Sequence, residues 1–183
     1  MTLSYEVSAK AVLEGGRAEE GEVTLTLNFP DGPVTTRTHV PSADPRLIKA
    51  AVLAERAGVA AMLDQWADSA MTPLKIATVL SAGRWTADVH ATLHVLDEAK
   101  HTTVVVTVDD PASALDAQQK ARAAVKDFAA LIRPTEAERA EFMALSEEER
   151  KRLGHAGYLL TGIGELTGEK SPYLEDPHSL YGT

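Results

Sequence analysis

Residues 22–66 read EVTLTLNFPDGPVTTRTHVPSADPRLIKAAVLAERAGVAAMLDQW, and the rest of the chain is arranged around them. Asp31-Gly32 separates two alternating runs, a turn signal because both residues tolerate the positive φ of a tight hairpin. Pairing outward from that turn sets Phe29 opposite Val34, Leu27 opposite Thr36, Leu25 opposite Thr38 and Val23 opposite Val40. These residues share an apolar face, while Thr24, Thr26, Asn28, Thr35, Arg37 and His39 share a polar one. Such alternation predicts a sheet covered on one side. Asp44-Pro45 then reads as an N-cap followed by proline at the first helical position. Leu47, Ile48, Ala51, Val52, Val59, Met62, Leu63 and Trp66 recur at helical spacing, so the helix is expected to lie on the apolar face of the hairpin.

The plan returns in residues 88–132, DVHATLHVLDEAKHTTVVVTVDDPASALDAQQKARAAVKDFAALI. Val89, Ala91, Leu93 and Val95 are expected to pair with Val108, Val106, Val104 and Thr102 across a turn at Asp97–Lys100. Asp110-Pro111 reads as a second cap, and Leu115, Val125, Phe128 and Ile132 as a second stripe. At an offset of about 66, Asp44, Pro45, Ala51, Arg56, Ala57 and Val59 match Asp110, Pro111, Ala117, Arg122, Ala123 and Val125. Alanine-rich helices match by chance, so the shared order of elements weighs more than identity. An internal duplication is one reading, and two unrelated hairpin-helix units are the other.

Before the first hairpin, residues 3–13 alternate with Tyr5, Val7, Ala9, Ala11 and Leu13 on one face, which predicts a further strand. Residues 14–21, EGGRAEEG, read as a loop. Residues 67–72 read as the junction between halves, and residues 74–80 as a strand or a short helix. Arg133-Pro134 ends the second long helix. Thr135 with Glu138, and Ser146 with Glu149, are capping boxes that predict helices over about 136–145 and 147–160. The expected fold class is α+β: two antiparallel hairpin or meander units with helices on one face. The expected organisation is a domain over 1–134, made of repeats at about 1–67 and 70–134. A helical extension over 135–167 and an extended tail over 168–183 follow it.

Of the 183 residues, 44% are hydrophobic and 25% charged, enough for a real core in a folded domain. There is no cysteine, which excludes disulfides, thiolate nucleophiles, Fe–S clusters and thiolate zinc sites. The first ten residues, MTLSYEVSAK, carry neither the basic nor the apolar region of a signal peptide, and no apolar run is long enough for a membrane span. A cytoplasmic location, or a virion for a phage-encoded chain, is expected. The formal net charge is −9, of which residues 135–183, with 5 Lys/Arg and 10 Asp/Glu, contribute −5. That balance and an aromatic content of 5% argue against a nucleic-acid partner.

Chemical motifs are weak. His90, His94 and His101 fall on the polar face of the second hairpin. His90 and His94 would stand roughly 13 Å apart at the usual strand rise, too far for one metal. A solvated sheet face explains them, or a pH-sensitive contact if another layer covers that face. Asp109-Asp110 suggests a divalent ion, but a helix cap accounts for Asp110. Gly162, Ile163, Gly164 and Gly168 do not keep dinucleotide-loop spacing. The chain has no phosphate-binding GxxxxGK[ST] loop, HExxH helix or GxSxG elbow. The expected catalytic, cofactor-binding and metal residues are therefore none. Glu147, Glu148, Lys151 and Arg152 read as intrahelical ion pairs.

Tyr173, Leu174, Leu180 and Tyr181 are large apolar residues in a stretch too rich in Pro and Gly to make a core. They are the candidate partner-binding residues, expected to grip a neighbouring subunit. The order strands, Asp-Pro helix, strands, helix resembles the plan of the OsmC/Ohr peroxidases. That resemblance implies a fold and not their activity, which uses two redox cysteines. Paired strand-helix repeats also resemble the Whirly and PUR single-strand binders, a use the acidic charge opposes. The leading expectation is a non-enzymatic subunit of a homo-oligomeric assembly, such as a phage-type connector, terminator or tube component. The alternative is a small-molecule-binding or hydrolytic α+β domain with its pocket between sheet and helices.

Overall fold

The computed structural model describes residues 3–14, 17–68, 75–94 and 101–153. Three strands, β1 (Ser4–Glu14), β2 (Arg17–Phe29) and β3 (Gly32–Val40), form one antiparallel sheet in the order β1-β2-β3, followed by α1 (Pro45–Asp68). A second set, β4 (Lys75–Ser81), β5 (Arg84–His94) and β6 (His101–Asp109), forms another sheet in the order β4-β5-β6 and leads into α2 (Ala114–Ile132). Two short helices, α3 (Glu136–Met143) and α4 (Glu147–Arg152), complete the described residues. The class is α+β, with two separate three-stranded sheets.

One core joins the two units. Leu25, Leu27 and Phe29 from the first sheet, Val89, Leu93, Val104 and Val106 from the second, and Val59, Leu63, Val125 and Phe128 from the helices are packed together. Phe29 and Phe128 meet edge to face, with ring centroids 6.0 Å apart, which ties the first hairpin to the second helix. A second cluster surrounds the N-terminal half of α1, where Leu47, Ala50, Leu53 and Ala54 pack with Val23, Val40, Phe142 and Leu153. Because α1 is covered by sheet, by α2 and by the α3–α4 pair, it buries far more than one stripe. Its alanines suit that position by letting neighbours approach closely.

Both hairpin registers differ from the sequence expectation by two residues. A turn centred on Asp31-Gly32 makes residues 30 and 33 the closing pair, which must exchange N–H···O bonds. Both are proline and have no N–H to give. The observed turn is Pro30-Asp31, so Phe29 faces Gly32, Leu27 faces Val34, Leu25 faces Thr36 and Val23 faces Thr38. In the second hairpin Val89 faces Val106, Ala91 faces Val104, Leu93 faces Thr102, and Ala87 takes Val108. That ladder is fixed at its far end, where the Asp110 and Trp85 backbones are joined. The expected pairs at Val95 and the turn at Asp97–Lys100 lie outside the described residues. A two-residue slip preserves every inward and outward face, so the predicted burial of Leu25, Leu27, Leu93 and Val104 holds.

Other boundaries move for local reasons. β2 begins at Arg17, inside the stretch read as a loop, because β1 continues antiparallel beside it as far as Glu14. Residues 75–81 are a strand. Asp44 acts as expected, its Oδ1 accepting the Arg46 N–H at 2.9 Å. Asp110 does not cap α2: it sits at φ 45°, and Ser113 accepts the Asp116 N–H instead. With the helix starting there, Ala117 and Ala121 take the inward face. Leu115, two residues from Ala117 and so about 200° around the helix, is exposed rather than part of the stripe. Both C-terminal capping boxes form. α3 stops at Met143, and α4 stops at Arg152, where Leu153 is the C-cap. The rest of the predicted 147–160 helix lies outside the described residues.

Candidate interaction surface

The end of the second sheet carries an uncovered apolar group. β4 and β5 are joined by a two-residue turn, Ala82-Gly83, in which both residues have positive φ, 51° and 76°. That geometry matches the right-handed twist of the strands it connects. The next pair along is Leu80 opposite Trp85. By strand alternation these two share the face of Ile76, Ala87 and Val89, the face that the helices cover. Ala87 is fully buried, yet Trp85, two residues away, is 50% exposed and its partner Leu80 is 55% exposed. On the opposite face Val79 is 51% exposed.

The backbone under this group is held firmly. The Asp110 N–H donates to the Trp85 carbonyl at 2.7 Å, and the Trp85 N–H donates to Asp110 Oδ1 at 3.2 Å. The Arg84 guanidinium lies 3.8 Å from the Asp109 carboxylate and 3.9 Å from that of Asp110. Lys120 Nζ donates to the Asp109 and Asp110 carbonyls at 3.4 and 3.1 Å and pairs with Asp116 at 3.1 Å. The Ala112 N–H and Lys120 beside Asp116 hold its carboxyl below the usual range. Large exposed apolar side chains stand next to charged ones on hydrogen-bonded backbone. Asp109 and Asp110 thus serve as structural ties. Among the described residues no cluster of three or more His, Asp or Glu is placed to hold a metal ion.

The equivalent end of the first unit is closed by the chain itself. There α3 and α4 lay Phe142 and Leu153 over Leu47, Ala50 and Leu53. Ion pairs from Arg46 to Glu149, 3.2 Å, and from Lys49 to Glu141 fasten the cover. Arg56 spans to the end of α2, donating to the Ile132 carbonyl at 3.0 Å and to Glu138 at 3.0 Å. Near the start of α2, Asp116, Gln119 and Lys120 are polar.

One buried polar contact was missed by sequence reasoning. Glu55, 8% exposed, projects from α1 onto the first sheet, where the Thr36 and Thr38 hydroxyls each donate to it at 2.6 Å. The signal was present. Thr36 and Thr38 sit among inward-facing residues, and Glu55 stands at (i, i+4) spacing between buried Ala51 and Val59. Val105 is also buried, although by strand alternation it points away from the helices. Asp31 in the hairpin turn accepts the Val105 N–H at 3.2 Å.

Tyr173, Leu174, Leu180 and Tyr181 lie outside the described residues. His90 is half-buried on the outer face, and in the β5–β6 register His94 lies opposite His101. Of the expected intrahelical pairs on α4, Glu147 and Lys151 meet at 2.8 Å. Among the described residues no helix is long and apolar enough to cross a membrane. No family model, curated protein or solved structure matches this chain.

Proposed function

We propose that this chain is a non-enzymatic subunit of a homo-oligomeric assembly. The observation that carries the reading is the exposed apolar pair Leu80 and Trp85, with exposed Val79 on the opposite face, on backbone hydrogen-bonded to Asp110 at Trp85. Among its described residues the chain covers the N-terminal half of α1 with two helices but leaves Leu80 and Trp85 exposed, which supports a surface finished by another molecule. The apolar residues Tyr173, Leu174, Leu180 and Tyr181 supply a second gripping element in the same reading. A connector, terminator or tube component of a phage-type particle is the kind of subunit proposed, and the duplication of one hairpin-helix unit its proposed origin.

Sedimentation or mass photometry of the full chain beside a chain lacking residues 168–183 tests this. A defined oligomer for the full chain is the expected result. A strict monomer at all concentrations, unchanged by the truncation, overturns the reading.

A further inference from the structure

Four strand edges border the two sheets, and three are protected. β1 carries Glu6 and Lys10 and a register break between Val12 and Leu13. β3 carries Pro33 and Arg37, and β6 has its Val105 N–H occupied by Asp31. Charge, proline, bulges and covering groups are the usual means of blunting an edge. β4 has only one of them, the charge of Lys75 at its first residue. Its residues Ile76, Ala77, Thr78, Val79, Leu80 and Ser81 include no charge and no proline, and among the described residues nothing pairs with its outer side.

We infer that β4 is a self-pairing edge, at which a second copy of this chain adds its own β4 antiparallel about a two-fold axis through Thr78. This rests on the homo-oligomer reading and names its contact. The strand runs from Lys75 to Ser81, so Thr78 is its midpoint. Pairing about that point sets Ile76 opposite the partner copy's Leu80, Ala77 opposite its Val79, and Lys75 opposite its Ser81. Every apolar residue meets an apolar one and no like charges meet, which matters for a chain of net charge −9. Ser81 and Arg84 close the two-residue turn, so Ser81, Val79 and Ala77 bond inward to β5. The N–H and C=O groups of Leu80, Thr78 and Ile76 therefore point outward, and the two copies exchange about six main-chain hydrogen bonds. Leu80 and Trp85 from each copy then form an apolar ledge along the joint.

The test uses charge at the axis. Thr78 is exposed, so Thr78→Lys or Thr78→Glu adds one charge to a solvent-facing edge and leaves the monomer's fold and melting temperature unchanged. Across the two-fold each variant places like charges directly opposite, and self-association measured by sedimentation is expected to weaken about tenfold or more. An equimolar mixture of the two variants is expected to recover wild-type association, because Lys then faces Glu. In a chain without cysteine, Thr78→Cys is also expected to give a disulfide-linked dimer on mild oxidation. If both charged variants associate like the wild type, β4 is not the contact, while the assembly reading survives. If the mixture fails to recover association, the axis through Thr78 is overturned. If deleting residues 168–183 dissociates the oligomer and neither charge does, the tail holds it instead of β4. If the wild-type chain is monomeric throughout, this inference and the assembly reading fall together.

Discussion

Glu55 on α1 and Thr36 on β3 are joined by a 2.6 Å hydrogen bond inside the protein, with Thr38 completing the carboxylate's hold on the sheet. A polar contact of this kind fixes where the helix rests along the strands, because an apolar helix face alone would tolerate a slide. Removing one partner leaves the other buried without a match. Thr36→Val is expected to cost about 2 kcal/mol in chemical denaturation, and Glu55→Ala about 2–4 kcal/mol. Replacing all three by Leu, Val and Val is expected to recover part of the loss, since an apolar trio needs no partners. A triple variant less stable than the sum of the single ones would contradict this account.

Gly21 is required by closeness rather than by backbone angle. A Cβ there would stand 2.8 Å from Ile48 Cγ1 and 3.1 Å from the Ser42 carbonyl oxygen. Gly21→Ala is expected to destabilise by about 1–3 kcal/mol. Adding Ile48→Ala should relieve the side-chain part of the clash, so the double variant should lose less stability than the two single losses combined. Thermal melts of the four proteins measure it.

Phe142 is the peg of the α3–α4 cover. Phe142→Ala is expected to cost about 3–5 kcal/mol and to expose Leu47 of α1 together with Val23 and Val40 of the first sheet. Amide exchange should speed up across residues 136–153 and the N-terminal half of α1, with the β5–β6 ladder little changed. Uniform acceleration over the whole chain would show that the cover is not a separable unit.

Acid should loosen the same region. The Thr135 N–H and the Arg56 guanidinium hold the Glu138 carboxyl below the usual range, and the Ser146 N–H does the same for Glu149. A carboxyl lowered on folding contributes stability that is present above its unfolded value, near 4.3, and is lost as pH falls through the lower folded value. Melting temperature is therefore expected to be flat near neutral pH and to fall on acidification below about pH 4.5. Glu138→Gln should lower the neutral-pH plateau and flatten the acid limb.

Much of the architecture was legible in the residues. Alternation at Val23, Leu25 and Leu27 and the 3.6-residue spacing from Leu47 to Trp66 announced strand and helix, and two capping boxes announced α3 and α4. What was not legible depended on competition between signals. Asp31-Gly32 is a good turn pair until the prolines on either side are asked to donate hydrogen bonds. Asp110 looks like a cap until Ser113, with Asp116 three residues on, offers a better one. The exposed ends of the second sheet could not be read at all. Leu80 and Trp85 have the parity of core residues, and only the place where the helices run out decides that they stay in water.

The contact between Asp31 and Val105 has a consequence for how large an assembly can grow. It stoppers one flank of the second sheet, so a copy joining at the opposite flank through a self-matching strand finds no further docking place beyond it. The proposed β4 joint would therefore link copies in pairs, and a larger ring or tube would have to grow through a different contact.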